Sequence, residues 1–283
     1  MSNANERLAA WLFETNAVRV CPENRPFWYT SGTIGPYYIN THFLYGSEEK
    51  ANVLLSLIDA SKGEVYSCPS KVLEATLGNY ASDAVYKGLI DEMCRFIKEN
   101  IDLNEVDYIS GGERRDWFFS LIIAELLEKP HITIYKDLTS VICRGGESKK
   151  ACGLSGKKVL HIADLITEAS SYERAWIPAI SNAGGEMKWS VVVVDRKQGG
   201  EAVLSGHGVK SFAMVGIDRP LFEKVIAMGL INIEQYNMII EYIADPAGFV
   251  DEFFRQHPEF LENALNSDSK TRERAMLYMQ KRK

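Results

Sequence analysis

No C-x-x-C pair, no apolar run approaching the length of a bilayer, no internal repeat and no low-complexity tract occurs in this chain of 283 residues. Each gap rules out a class of protein. Structural zinc sites are built on closely spaced cysteine pairs. The five cysteines here (Cys21, Cys68, Cys94, Cys143, Cys152) are odd in number and scattered, which points to free thiols in a reducing compartment. Only Cys143 and Cys152 share one Gly-rich stretch, where oxidation could pair them. A transmembrane helix needs about 20 consecutive apolar residues, and the longest runs fall far short. Met1 to Ala10 is polar and carries no signal-peptide core, so the expectation is an intracellular, cytoplasmic protein. Positive charge is also scarce: 32 Lys and Arg stand against 38 Asp and Glu, a net charge of −6. Wholesale binding to nucleic acid or to an anionic membrane is therefore not expected, which leaves small molecules as partners and local basic sites as the places to find them. His42, His131, His161 and His207 stand alone, with no Ser, Cys or acid at a spacing that suggests a triad or a metal site. His161, inside an apolar strand, reads as buried and hydrogen-bonded.

What remains is a chain that is 46% hydrophobic, enough for one large domain or a domain with an extension. Apolar periodicity predicts helices over 5–16, 47–60, 81–100, 115–128 and 170–183, the last kinked at Pro178. Strands are predicted at Val106–Ser110, Ile132–Tyr135, Lys158–Ala163, Trp189–Val194 and Val209–Val215, and two short strands around a turn within the aromatic segment 25–40. From Ile217 onward the pattern is helical, with Pro220, Pro246 and Pro258 where helices start or break. Strand and helix alternate from Val106 to Val194, which predicts a parallel α/β sheet with ligands at the carboxyl ends of its strands.

Three segments leave from those ends. Lys158–Ser171 (KVLHIADLITEASS) is a strand that ends at Asp164 and feeds a small hydroxylic loop, Thr167 to Ser171, at a helix N-terminus. Outward-facing N–H groups and the helix dipole suit an anion there, and Asp164 can accept from sugar hydroxyls. Two features oppose this. Ser170 and Glu173 fit a capping box, which would occupy the Ser170 hydroxyl. Glu168 places a negative charge in the loop, which costs a phosphate at 4 Å about 4 kcal/mol at the effective dielectric of a protein surface, more than a helix dipole returns. The second segment, Gly111-Gly112-Glu113-Arg114-Arg115-Asp116, offers close backbone approach and two guanidinium forks for phosphate, unless Glu113 and Asp116 neutralise them. The third, Lys136–Lys157, is basic and glycine-rich and reads as a lid, with an ordinary surface loop as the alternative. Asp195-Arg196, after the Trp189–Val194 strand, could present an arginine to a carboxylate or be a charged turn.

In this order the segments resemble orotate phosphoribosyltransferase of the type I phosphoribosyltransferase family, from about Leu8 to Val215. Tyr29-Thr30-Ser31-Gly32 and Gly35-Pro36-Tyr37-Tyr38 look like the family's N-terminal segment bordering the pyrimidine, Gly111–Asp116 like its pyrophosphate loop, and VVVVDRKQGG (Val191–Gly200) like its Asp-Arg segment. The signature pair of acids is replaced by Ala163-Asp164, the phosphate loop by Thr167-Glu168-Ala169-Ser170-Ser171, and the lid lacks the family's Lys and His, Thr139 and Val141 standing in their places.

The resemblance implies an α/β fold with a central, mostly parallel sheet flanked by helices and an N-terminal hood, over 1–215, and a C-terminal helical extension, over 216–283, packed on or beside it. It implies transfer of a phosphoribosyl group from phosphoribosyl pyrophosphate to a pyrimidine-type base, with Mg²⁺, in a cytoplasmic homodimer. Lys136 and Asp164 would be catalytic, and Asp164 would meet the Mg²⁺ indirectly, through a metal-bound ligand. Arg114, Arg115, Thr167, Ser170 and Ser171 would bind phosphate or pyrophosphate, and Tyr37, Tyr38 and Arg196 the base. The altered acid pair, loop and lid point to two alternatives: a catalytically degenerate relative that binds nucleotide or phosphoribosyl pyrophosphate as a regulator, or a transferase whose substrate has shifted because Trp117-Phe118-Phe119 reshapes the pocket.

Overall fold

Apolar residues at alternating strand and helix periods build a chain whose elements run in the following order. The structure, a computed structural model, describes residues 2–22 and 24–281. Helix α1 (Ser2–Glu14) precedes four short strands, β1 (Val18–Val20), β2 (Phe27–Trp28), β3 (Ile34–Gly35) and β4 (Tyr37–Ile39). A 3-10 turn, Thr41–Tyr45, leads to α2 (Glu48–Ser61), α3 (Cys68–Ser82) and α4 (Ala84–Asn100). Then come β5 (Tyr108–Gly112), α5 (Trp117–Leu126), β6 (His131–Ile134), β7 (Ser140–Arg144), β8 (Glu147–Lys150), β9 (Lys158–Ile166), a π turn at Tyr172–Trp176, α6 (Ile177–Asn182), β10 (Glu186–Asp195), α7 (Gly200–Gly206) and β11 (Lys210–Gly216). Five helices close the chain: α8 (Arg219–Ala227), α9 (Ile233–Ala244), α10 (Pro246–Gln256), α11 (Pro258–Leu265) and α12 (Ser269–Lys281).

The chain forms two compact units, 1–17 with 41–217, and 18–40 with 218–283. In the first, seven strands form one sheet in the order β11-β10-β9-β5-β6-β7-β8. The five from β11 to β6 are parallel, and β7 and β8 add on antiparallel. Central strands covered on both faces read as unbroken β-branched runs, and Val191–Val194 is fully buried. Trp117, Phe118 and Phe119 of α5 are buried too; the Trp117 indole N–H donates to the Gly111 carbonyl at 3.0 Å, and the Phe118 ring meets Tyr45 edge-on.

Several predicted elements shift, each for a local reason. The helix expected from Ala81 starts at Ala84, because Asp83 caps it by accepting the Tyr86 N–H, and a separate helix, α3, precedes it. The segment 136–157 is not a structureless lid. Gly145 and Gly146, with φ of +57° and +83°, turn a hairpin between β7 and β8 that extends the sheet. Lys149 and Lys150 lie on its edge strand, where charge discourages further pairing. Strand β9 does not end at Asp164 but runs on to Ile166, held by β10. The predicted kink at Pro178 is a change from π turn to α-helix, with the proline in the first turn of α6, where its missing N–H costs nothing.

In the second unit β1 pairs with β4 and β2 with β3, all antiparallel. Trp28 stacks on Phe260 at 5.8 Å between ring centres and meets Tyr278 edge-on, in a core shared with Val250, Phe253 and Ala264. Helix α12 is tied to the β2–β3 hairpin: Arg274 Nη1 donates to the Trp28 carbonyl and Lys281 Nζ to the Ser31 carbonyl, both at 2.8 Å. Gly32 has φ of +79°, and a Cβ there would lie 2.8–2.9 Å from the Leu277 side chain, so a glycine is required on both counts. The hood segment expected to go with the sheet is therefore built with the C-terminal helices, because its tryptophan and its turn pack against them.

Candidate active site

Beyond His161, β9 has lost β5 as a neighbour, since their pairing runs only from Tyr108↔Val159 to Ser110↔His161. The two strands splay at their carboxyl ends, and a cavity of about 390 Å³ opens there. It is lined by Glu113 to Asp116 from the loop after β5, by Lys136 after β6, and by Ala163 to Tyr172 and Trp176 from β9 and the following turn. Seven of the expected site residues meet in it: Arg114, Arg115, Lys136, Asp164, Thr167, Ser170 and Ser171. Arg196 does not line it, and Tyr37 and Tyr38 belong to the second unit.

The loop after β5 is shaped by its glycines. A Cβ on Gly111 would lie 2.1 Å from Ser120 Oγ, and one on Gly112 would lie 2.3 Å from the Trp176 ring. The peptide bond between Glu113 and Arg114 is cis. The charges of the loop do not cancel one another. Glu113 pairs with Lys62 at 3.3 Å and accepts the Lys136 N–H, while Arg114 pairs with Asp59. Arg115 is exposed and has no ion-pair partner among the described residues, which leaves its guanidinium available to an anion. Trp117, Phe118 and Phe119 point into the core and none lines the cavity, so they do not reshape it as expected.

Across the cavity, Asp164 is 7% exposed. Its Oδ1 accepts the Leu165 N–H at 2.8 Å, whereas its Oδ2 is buried with no partner. Burial, and next the charge of Asp116, push its carboxyl up to about 7, against the opposing pull of Arg115. The Thr167–Ser171 loop is not closed by a capping box. The Glu173 N–H bonds the Ala169 carbonyl instead, the Glu173 carboxylate lies 3.2 Å from His207 Nε2, and no side chain caps the turn, so Ser170 is not engaged as a cap. Glu168 is exposed, and Ala169 takes a left-handed backbone with φ of +58°.

Sequence reasoning weighed Asp116 only as a charge that could neutralise the arginines, and passed over Tyr172 and Trp176 as cavity residues and His42 as a neighbour. Trp176 stacks on the ring of the fully buried His161, 6.2 Å between centres, and forms one wall. His42 is 3% exposed with an unpartnered Nδ1, and burial followed by the charges of Arg115 and Arg114 lowers it to about 3, so it is neutral. The usable signal was weak: an isolated histidine after an aromatic segment carries no spacing pattern.

A seven-stranded, mostly parallel sheet with a cavity lined by charges of both signs where two strands splay invites comparison with solved structures. Residues covering 84% of this chain superpose on 42% of a UMP synthase from Leishmania donovani with a TM-score of 0.56 at 18% identity. Orotate phosphoribosyltransferase from Francisella tularensis matches with a TM-score of 0.52 at 14% identity, over 82% of this chain and 95% of that one. The chain has the type I phosphoribosyltransferase fold. In sequence it resembles an orotate phosphoribosyltransferase of Sulfurisphaera tokodaii, 34% identical over 90 residues, 32% of this chain. The match spans 45% of that relative's length. No family model matches the chain. Glu113–Asp116 and Ala163–Ser171 line one cavity, and Ala163 is buried at 2% exposure.

Proposed function

We propose that the chain is a phosphoribosyltransferase that takes phosphoribosyl pyrophosphate with Mg²⁺ and a pyrimidine-type base, orotate being the first candidate. The observation that carries this reading is the meeting of Arg114, Arg115 and Lys136 with Asp164 and the Thr167–Ser171 loop in one cavity at the carboxyl ends of parallel strands. The 5′-phosphate would sit on the hydroxyls of Thr167, Ser170 and Ser171, and the pyrophosphate against Arg115 and Lys136. Asp164 Oδ2, buried and without a partner, is an acceptor suited to a ribose hydroxyl or to a water on a cation. Among the described residues no group of three or more His, Cys, Asp or Glu could hold a metal by itself, so the donor set fits an Mg²⁺ that arrives on the diphosphate. That ion would neutralise charge on the leaving pyrophosphate. A ring nitrogen of the base gives its proton to solvent and attacks the anomeric carbon, the bond to the pyrophosphate oxygen breaks, and pyrophosphate departs with the electron pair. Tyr37, Tyr38 and Arg196 are the residues proposed for the base. Arg196 is half-buried with an unpartnered Nε; the buried Tyr37 ring packs against Phe222 and Tyr242, and the half-exposed Tyr38 ring meets Phe27 and Tyr29 edge-on.

Calorimetry with phosphoribosyl pyrophosphate and Mg²⁺, followed by an orotate-consumption assay, tests this reading. Heat and turnover are expected; no heat would sink it. A second reading, a binding or regulatory protein without turnover, is favoured by Ala163 in place of an acid and by Glu168 beside the phosphate loop. Heat without consumption of orotate or of other pyrimidines would select it. A homodimer belongs to the first reading and is tested by sedimentation at working concentration.

A further inference from the structure

We propose that Asp116 is the positioning residue of this site: its single carboxylate joins the two loops that form the cavity, in place of the missing ladder between β5 and β9. The inference deepens the phosphoribosyltransferase reading and rests on it for the ligand, though not for the geometry.

Where β5 and β9 part, each strand exposes a backbone donor that has lost its partner across the ladder. Burying such a donor unpaired costs about 1–3 kcal/mol. Asp116 takes both. Its Oδ2 accepts the Gly112 N–H at 2.9 Å and its Oδ1 accepts the Asp164 N–H at 3.1 Å. The residue stands at the N-terminus of α5, where an aspartate would ordinarily cap its own helix, yet it makes no such cap bond. It is 6% exposed. Behind it, His161 Nε2 lies 3.5 Å from Oδ2 and has no other partner, while His161 Nδ1 and Ser110 Oγ share a hydrogen bond of 2.9 Å. Trp176 and Tyr172 hold that imidazole from the sides. The carboxylate thus has a fully buried imidazole behind it and fixes two main-chain segments in front. One segment leads into Arg114 and Arg115. The other carries Asp164, whose free Oδ2 belongs to the same cavity.

The consequence is that the spacing between the guanidinium side and the acid side is set by one group. The position held by Ala163 contributes a methyl to the core cluster and no carboxylate, and the carboxylate that bonds the Asp164 main chain comes from across the splay. Asp116 acts through Asp164 and Gly112 and need not touch the ligand.

Asp116→Asn keeps the shape but presents an amide N–H₂ to one of the two donors, so one tether must open. Amide hydrogen exchange in the ligand-free protein is expected to rise about tenfold or more at Gly112 or at Asp164, whichever the new amide N–H₂ faces, with Val191–Val194 unchanged. Unchanged exchange at both amides, or an equal rise at Val191–Val194, overturns the proposal. Should this variant fail to fold, Asp116→Glu keeps the charge, moves the oxygens by one methylene and is read the same way. With ligand, the dissociation constant for phosphoribosyl pyrophosphate with Mg²⁺ should weaken about tenfold in Asp116→Asn, and Asp116→Asn/Asp164→Asn should bind within about twofold of Asp164→Asn alone. Additive losses would show that Asp116 does not act through Asp164, and so overturn it. If the unaltered protein gives no heat with that ligand, the functional reading falls, and the exchange measurement still decides whether Asp116 joins the loops.

Discussion

In the unit that holds the C-terminal helices, polar atoms are confined to the edges of an aromatic core, where Arg274 and Lys281 reach backbone carbonyls and Asn232 with Gln235 forms a capping box. In the sheet-bearing unit, Thr41 Oγ1, His42 Nδ1, His161 Nε2, Asp164 Oδ2 and Arg196 Nε are all buried without a hydrogen-bond partner. Among the described residues every such atom lies in that unit. Buried polar groups are paired in most of any fold because each orphan costs stability, so orphans concentrated in one unit mark where stability has been given up for another purpose. Among the described residues the contrast separates a unit whose buried side-chain polar atoms are paired from one in which five are not, one of them, Asp164 Oδ2, in the residue set that lines the cavity.

The contrast is most severely tested by removing the aromatic anchor of the second unit. Trp28 is buried and touches Phe254, Phe260 and Tyr278. Trp28→Ala should cost about 3–5 kcal/mol, read by urea denaturation with a probe in that unit. A loss under about 1 kcal/mol would mean that the cluster is not what holds the unit together.

Removing a charge from the first unit should do the opposite. The Asp164 carboxyl is raised from about 4 to about 7, so between those values the folded protein binds a proton that the unfolded chain has lost, and stability falls as pH rises through that window. Asp164→Asn should therefore stabilise the protein at pH 8, by on the order of 2–4 kcal/mol, while it weakens binding of phosphoribosyl pyrophosphate. His42 and the fully buried His131 act in the other direction. Both are lowered to about 3, mainly by burial, so the unfolded chain binds their protons first and stability is lost as pH falls from about 6.5. Between about 4 and 6.5 the two histidines outweigh the one acid. Taken alone, these three groups make stability rise to about pH 7 and then level off, and denaturation midpoints across about pH 4–8 would show it. In Asp164→Asn the rise below about pH 7 should steepen.

Most of this architecture was legible in the chain because it follows from period and punctuation: the β-branched run at Val191–Val194, the prolines that open α8, α10 and α11, the glycines after β5. The hairpin at Gly145-Gly146 was missed because β8 is charged and solvent-facing and β7 offers only the short apolar stretch Val141-Ile142-Cys143, too little to show an alternation. The cavity's two loops were legible as sequence, but Asp116 was not, since its role depends on where two strands stop pairing, and pairing registers are long-range facts. The same holds for the hood segment, whose aromatics read equally well as a base-binding wall or as a core, and whose Tyr37 is packed in one.

Smaller effects bear on the Thr167–Ser171 loop alone. Glu168 is exposed, so its repulsion is screened and its removal should release well under the figure for a fixed contact, on the order of 0.5–1 kcal/mol. Glu168→Gly should tighten binding of phosphoribosyl pyrophosphate by roughly two- to fivefold at low salt, less at high salt. Affinity that does not move at either salt concentration would take the loop out of the site.

Next to it, Ala169→Gly should change almost nothing, for reasons that can be weighed separately. The left-handed backbone, with φ of +58°, costs a residue with a Cβ about 1–2 kcal/mol, which glycine would recover. Against that, the methyl is buried in the core cluster and its removal forfeits about 0.8 kcal/mol. Glycine also loses about 0.5–1 kcal/mol through the greater freedom of the unfolded chain. The sum lies within about 0.5 kcal/mol of zero, and a thermal midpoint within a degree or two of the parent is the expected result. A gain above about 1 kcal/mol would mean that the methyl packs poorly. The loop would then be carrying strain that a phosphate-binding turn built on glycine avoids.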